Sequence, residues 1–114
     1  MTSSHKAPLA TRKLGRTGVS VTELGLGTAP LGDLFDVNEE DEASALLQKA
    51  WDGGIRYFDT SPWYGRGQAE HRVGRALYRR PRDEFVISSK VGRTLRRPGS
   101  STAAHRKPRR SRGF

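Results

Sequence analysis

The order of elements along this 114-residue chain predicts an α/β fold built on a parallel sheet. Runs of β-branched, aromatic and small residues at 23–28, 55–58 and 85–90 are typical of short buried strands. Two stretches with the periodicity of amphipathic helices separate these runs, and a hairpin precedes them. In parallel α/β proteins a helix returns the chain to the start of the next strand, so this alternation predicts that class.

A hairpin is predicted over residues 12–22, where the Arg16–Gly18 turn supplies a glycine for positive φ. The first strand of the parallel sheet follows at Glu23–Thr28. Its two glycines invite interpretation as a dinucleotide-binding loop. We reject that interpretation because Pro30 stands in place of the third glycine and no helix is predicted to begin there.

The first helix is predicted to begin after Asn38, a favourable N-cap residue. Acidic residues at 39–42 lie where the positive end of the helix dipole stabilises them. They could also be interpreted as a metal site, but charge at a helix start is the simpler explanation, so no metal is predicted. Gly53 is predicted at the C′ position. The inward stripe of this helix contains Ala43, Leu46, Leu47, Ala50 and Trp51.

The second helix is predicted over about residues 69–79, and Pro81 ends it because proline cannot continue a helix. The third strand, Phe85–Lys90, then completes the predicted order of a hairpin followed by three strands and two helices. The inward residues of the second helix are Val73, Ala76 and Leu77.

Three polar residues lie at or just beyond the predicted strand ends. Asp59 follows the strand at 55–58, Tyr64 lies on the loop after it, and Lys90 ends the next strand. In parallel α/β proteins catalytic groups gather at this edge of the sheet. Each residue also has an ordinary explanation: Asp59 in a turn, Tyr64 as a surface aromatic, and Lys90 as a solvated strand end. Their combined spacing favours a catalytic site.

The stretch Ile55–Gly65 closely resembles the aldo-keto reductases, whose motif here is a strand, F-D-T, a short spacer and then Y-G. In that family the Asp and the Tyr act together with a Lys on the next strand. The resemblance implies that the chain is the N-terminal part of a (β/α)8 TIM barrel, whose bottom the hairpin closes. The family's E-x-x-x-G-x-x-L helix is matched by Glu70, Gly74 and Leu77.

The resemblance implies catalytic roles for Asp59, Tyr64 and Lys90, and cofactor contacts from Thr28, Ala29 and Asp59 to NADP or NAD. The reaction would interconvert a small carbonyl compound or sugar and its alcohol or lactone. Phenols have pKa values near 10, so one that exchanges protons at neutral pH needs a cation beside it. Lys90 would be that cation, and Asp59 would hold it.

The details of the site loop look most like bacterial members of the family that oxidise aldoses such as fucose, or pyridoxal. Trp63 either lines an apolar wall of the substrate pocket or packs under the loop. The family's catalytic His, at the end of a fourth strand, has no counterpart, because His105 lies outside any predicted strand.

The resemblance covers about Arg12–Arg97 and divides the chain into three parts. Residues 1–11 are a predicted disordered lead-in, 12–97 a partial reductase domain, and 98–114 a basic disordered tail with the composition of a frameshifted gene. A (β/α)8 barrel typically needs about 250 residues. We therefore expect a fragment that is catalytically inactive by itself.

Composition adds a second function class. The formal net charge is +9, and residues 98–114 hold five Lys or Arg and no acid. Such a tail predicts nonspecific polyanion binding, so the alternatives are a basic nucleic-acid-binding polypeptide or a fragment without function. The hydrophobic content of 33% is low and predicts weak independent stability. With no cysteine and no apolar segment of membrane-spanning length, a cytoplasmic location is expected.

Overall fold

The computed structural model describes residues 7–32 and 40–99. Within these ranges the chain forms an antiparallel hairpin and a three-stranded parallel sheet with two α-helices, in the predicted order. The strands are β1 (Thr11–Lys13), β2 (Ser20–Thr22), β3 (Leu26–Gly27), β4 (Tyr57–Asp59) and β5 (Val86–Ser88), and the helices are α1 (Glu40–Asp52) and α2 (Gln68–Leu77). Single 3-10 turns lie at Ala29–Gly32 and Arg82–Glu84.

Several predictions concern residues outside the described ranges. They are the N-cap at Asn38, most of the lead-in, and the tail with His105 from residue 100 onwards. These stay predictions.

The hairpin lies at the amino-terminal end of the parallel strands. β1 and β2 form the antiparallel hairpin that the sequence predicted for this region, and Arg12 lies opposite Val21. The Thr22 hydroxyl oxygen accepts a hydrogen bond from the backbone N–H of Arg56, one residue before β4, at 3.2 Å. The hairpin is therefore attached to the end of the sheet opposite to Asp59.

The parallel sheet has the order β3-β4-β5, so β4 is central. Gly27, Asp59 and Ser88 are register partners across the three strands. Because parallel strands run in the same direction, their carboxyl ends meet at one edge of the sheet. Phe58, on the central strand, has no exposed surface and anchors the core.

Both helices bury one stripe of side chains against the sheet and against each other. The predicted stripe of α1 is too wide, because Leu46 is 45% exposed while its neighbour Leu47 is buried. The buried positions of α1 recur every fourth residue, which leaves Leu46 at the solvent edge of the stripe. The core contains Leu31, Ala43, Leu47, Trp51, Phe58, Ala69, Val73, Leu77 and Phe85.

The end of α1 differs from the prediction by one residue. Gly54, not Gly53, has the left-handed conformation of the C′ position, with φ of 96°. Its N–H bonds to the Trp51 carbonyl at 2.9 Å, and the Ile55 N–H bonds to the Ala50 carbonyl at 3.1 Å. These two bonds define a Schellman motif. Sequence could not choose between adjacent glycines, because both tolerate positive φ.

The segment after β3 also differs from the prediction. A single 3-10 turn begins at Ala29, where no helix was predicted.

Within the described part of the chain, neither α-helix has the length and apolar character needed to cross a bilayer.

Candidate active site

Asp59 is the last residue of β4, and two side chains from the β5 region donate hydrogen bonds to its carboxylate. The Ser88 hydroxyl donates to Oδ1 at 2.6 Å, and Lys90 Nζ donates to Oδ2 at 2.9 Å. The Ser88 hydrogen bond is the largest cause that lowers the pKa of Asp59, followed by Lys90, while burial opposes them. Asp59 therefore stays ionised and holds the lysine in place.

Lys90 connects Asp59 to Tyr64. Its ammonium also donates to the Thr60 carbonyl at 2.9 Å and lies 4.9 Å from the centre of the Tyr64 ring. The hydrogen bond to Asp59 is the main cause that raises the pKa of Lys90, burial opposes it, and Tyr64 adds to the rise. The three predicted catalytic residues are thus brought together at the carboxyl edge of the sheet.

The backbone of the Tyr64 loop is held by a close contact with the turn after β3. A Cβ built on Gly32 would lie 2.3 Å from the carbonyl carbon of Tyr64, and one on Gly65 would lie 2.4 Å from the Gly32 carbonyl oxygen. Only glycine fits on both sides of this contact. The Ala69 N–H, in the first turn of α2, donates to the Tyr64 carbonyl at 3.1 Å. The backbone that carries the phenol is therefore held by the turn after β3 and by the first turn of α2.

A buried arginine on α2 fixes the same turn, and the sequence interpretation missed it. The side chain of Arg72 is 3% exposed. It donates to the Leu31 carbonyl at 2.6 Å and to Glu40 Oε1, at the start of α1, at 2.7 Å. Glu40 also lies 3.5 Å from Arg75. The signal was present in the helical spacing, because Arg72 lies four residues before Ala76 and next to Val73 on the inward stripe.

Ser88 and Tyr57 were also missed, and they extend the network along the sheet. The Tyr57 hydroxyl lies 3.0 Å from the Ser88 hydroxyl. Side chains two residues apart on a strand share a face, so Tyr57 aligns with Asp59 on β4. Ser88 is opposite Asp59 in the register of β4 and β5, and that register is a tertiary property.

The residues predicted to contact a cofactor differ in exposure. Thr28 has no exposed surface, and its hydroxyl donates to the Asp59 carbonyl at 2.9 Å. Ala29 begins the 3-10 turn and is half-buried. The Asp59 side chain is 40% exposed although both its oxygens accept hydrogen bonds. Contact of these residues with a cofactor stays a prediction.

A cavity of about 280 Å³ opens beside Tyr64 and Lys90. Trp63 is half exposed and faces this cavity, and the Arg93 guanidinium lies 4.7 Å from the centre of its indole ring. Of the two alternatives for Trp63, the geometry favours a pocket wall. The lining residues are Ser61, Pro62, Trp63, Tyr64, Lys90, Val91 and Arg93.

Asp59, Tyr64 and Lys90 meet at the carboxyl edge of a parallel β/α sheet, which is the arrangement that resemblance to the F-D-T…Y-G motif implied for a β/α-barrel class of protein. Residues 23–112 match the model of the Aldo/keto reductase family, and the chain belongs to this family. The predicted family is confirmed. The matched residues run past Arg97, where the motif resemblance was placed to end.

Two curated relatives and one solved structure agree with this assignment. Pyridoxal 4-dehydrogenase of Microbacterium luteolum is 55% identical over 84 residues, which are 74% of this chain and 24% of that protein. D-threo-aldose 1-dehydrogenase of a Pseudomonas species is 53% identical over 79 residues, 69% of this chain and 24% of that protein. The chain thus spans about a quarter of their length.

The solved structure is the holo form of an aldo-keto reductase from Bacillus halodurans. It is similar with a TM-score of 0.67 and 32% identity, over 77% of this chain and 28% of that one. The predicted fold class, an N-terminal part of a (β/α)8 barrel, is confirmed by this likeness.

Proposed function

We propose that Asp59, Tyr64 and Lys90 are the acid–base residues of an oxidoreductase that uses NADP or NAD. The observation that carries this proposal is the position of one ammonium group. Lys90 Nζ donates to Asp59 at 2.9 Å while it lies 4.9 Å from the Tyr64 ring centre, beside a cavity large enough for a small substrate.

The protonation chemistry follows from these contacts. When bound, the nicotinamide supplies a hydride to the carbonyl carbon in reduction and accepts one in oxidation. Tyr64 gives its hydroxyl proton to the carbonyl oxygen as charge develops there, so the product is the alcohol and the phenolate is left beside Lys90. The ammonium stabilises that phenolate, and Asp59 keeps the ammonium oriented. Water then returns a proton to Tyr64.

The residues present fit a nicotinamide cofactor in part. Asp59 has exposed carboxylate surface that can accept a hydrogen bond from a ribose hydroxyl. A Cβ at Gly27 would meet no atom within 4 Å, so the edge of β3 leaves room beside the carboxylate. Thr28 would act by fixing the Asp59 backbone and not by contact, because it has no exposed surface and its hydroxyl donates to the Asp59 carbonyl. The choice between NADP and NAD stays open.

The substrate class is proposed from the names of the relatives. Pyridoxal 4-dehydrogenase and D-threo-aldose 1-dehydrogenase are named for a small aldehyde and a sugar. A cavity of about 280 Å³ lies near the lower end of the roughly 300–1,000 Å³ typical of ligand pockets. We therefore assign a small aldehyde or an aldose, converted to its alcohol or lactone.

The test is a chimera in which residues 7–99 replace the matching segment of the pyridoxal 4-dehydrogenase. Tyr64→Phe should lower kcat by about 10²–10⁴, the usual contribution of a positioned acid–base group, and leave cofactor binding unchanged. Tyr78→Phe is the matched control, because Tyr78 is 69% exposed and its hydroxyl accepts a hydrogen bond from Arg79 on the surface, away from the cavity. Turnover of the Tyr64→Phe chimera at the level of the unsubstituted chimera would contradict the proposal.

For the 114-residue chain alone, we propose no measurable turnover of an aldehyde with either cofactor. In the described residues Asp59, Tyr64 and Lys90 rest on three strands, and β5 is paired on one side only. Catalytic groups need to be held within about 0.5 Å of productive geometry, which a three-stranded sheet with an open edge does not ensure. Oxidation of the reduced nicotinamide above a protein-free control, abolished by Tyr64→Phe, would refute this. Polyanion binding by the tail and a cytoplasmic location stay predictions.

A further inference from the structure

The cavity beside Tyr64 contains a second cation that the proposed chemistry does not use. Arg93 lines it together with Lys90. Lys90 is paired with Asp59, but no carboxylate within residues 7–32 and 40–99 pairs with Arg93. None of the lining residues is acidic. Among the described residues, therefore, no acidic side chain offsets the positive charge of Arg93 in this cavity.

Arg93 is exposed, and within residues 7–32 and 40–99 no acceptor is hydrogen-bonded to its guanidinium. Its guanidinium lies over the indole of Trp63, 4.7 Å from the ring centre. A guanidinium that contacts an aromatic ring through its face keeps the N–H groups in its plane for other acceptors. A planar fork held on an aromatic face is suited to bind a carboxylate through two parallel hydrogen bonds.

The surface under Arg93 is itself held in place. The backbone N–H of Trp63 bonds to the Ser61 hydroxyl at 3.3 Å, and the Trp63 carbonyl accepts from the Arg66 N–H at 3.3 Å. Trp63 directly precedes Tyr64 in this loop. The aromatic wall, the cation above it and the proton donor consequently belong to one cavity.

We propose that this cavity selects carbonyl substrates that carry an anionic group on a flat ring, with Arg93 as the residue that binds the anion. The proposal rests on the function proposed above, because it names the substrate class of the same site. Arg93 would bind the anionic group, Trp63 would lie against the ring, and the carbonyl oxygen would face Tyr64. A neutral sugar would use the aromatic wall alone and gain nothing from Arg93.

The test compares two aldehydes of similar shape in the chimera that contains residues 7–99. The probes are para-carboxybenzaldehyde and its neutral analogue, para-methylbenzaldehyde, and the readout is the ratio of their kcat/KM values. Arg93→Gln should lower this ratio by about tenfold or more, because hydrogen bonds to a charged group commonly contribute this much. The effect should fall on KM for the carboxylate substrate, with the neutral substrate unchanged.

Arg66→Gln is the matched control, because it removes the same charge from an exposed position nearby that does not line the cavity. An unchanged ratio in Arg93→Gln, or an equal fall in Arg66→Gln, would overturn the inference. Para-sulfobenzaldehyde separates a requirement for any anion from one for a carboxylate, since a general anion site should accept both.

Binding separates this inference from the proposed function. Equilibrium dialysis of benzoate against the 114-residue chain and against the chimera should show binding that Arg93→Gln weakens and Arg66→Gln leaves unchanged. If the chimera shows no Tyr64-dependent turnover but still binds benzoate through Arg93, the proposed reaction is refuted and the anion site is supported. If benzoate binds equally well with and without Arg93, the anion site is refuted, whether or not the chimera turns over an aldehyde.

Discussion

Arg72 offers the sharpest test of how this part of the chain is stabilised. We expect Arg72→Met to lower the free energy of unfolding by about 2–3 kcal/mol. The substitution removes a charged hydrogen bond to the carbonyl of Leu31, a residue that is 2% exposed, and such bonds contribute about 1.5–3 kcal/mol. Glu40 is half exposed and rehydrates, so losing its pair adds little to this cost.

The matched control is Arg75→Met on the same helix. Arg75 approaches the other oxygen of Glu40 at 3.5 Å, but its side chain is 65% exposed. An exposed pair of this kind contributes about 0–1 kcal/mol. The two substitutions remove the same charge near the same carboxylate and differ in burial, so their difference measures what burial and the Leu31 carbonyl contribute.

The assay is urea unfolding of the 114-residue chain, with the slope against urea expected to stay constant. If Arg72→Met is unfolded without denaturant, trimethylamine oxide shifts all three proteins into the measurable range and keeps their order. Equal stabilities of Arg72→Met and Arg75→Met, within about 0.5 kcal/mol, would refute the reasoning.

Three further predictions use the same unfolding assay or a binding measurement. Gly32→Ala should destabilise by about 1–3 kcal/mol, because its new methyl group meets the backbone of the Tyr64 loop, which cannot move aside. Gly74→Ala, in α2 with nothing within 4 Å, should instead stabilise by up to about 1 kcal/mol, and the opposite order would contradict the packing described. The lowered pKa of Asp59 means that its contribution to stability is present above its unfolded value near 3.8 and is lost on acidification, so Asp59→Asn should flatten the acid limb of a stability–pH profile. The raised pKa of Lys90 means that its contribution is present below about 10.5 and is lost at higher pH, so Lys90→Met should flatten the alkaline limb, and unchanged limbs would argue against the pair. Deletion of residues 98–114 removes five positive charges and should make the salt dependence of DNA binding shallower, whereas a sequence preference that survives at physiological salt would favour evolved recognition.

Local patterns in the sequence predicted the order of elements and placed three candidate site residues at one edge of the sheet. Asp59 ends β4, Tyr64 follows it and Lys90 follows β5, and parallel strands bring their carboxyl ends together. The same reasoning gave the hairpin over residues 12–22. Spacing along the chain therefore predicted which residues meet, because in a parallel sheet topology alone determines which ends are adjacent.

The sequence could not decide between two adjacent residues of the same type at two positions in the fold. Gly53 and Gly54 are equally able to adopt positive φ, and the packing of Ile55 after the helix selects Gly54. Leu46 and Leu47 have the same helical propensity and hydrophobicity. The orientation of α1 on the sheet decides that Leu47 is buried and Leu46 exposed.

Local periodicity in the sequence determined the class of fold, and the F-D-T…Y-G motif carried the family resemblance and the candidate Asp–Tyr–Lys site. Only the tertiary structure decided the residues that hold this site in position. Ser88 meets Asp59 through the register of β4 and β5, and Arg72 reaches Leu31 across 41 positions of sequence. Contacts of that kind depend on how separate elements approach one another in space, and no local pattern in the chain encodes that distance.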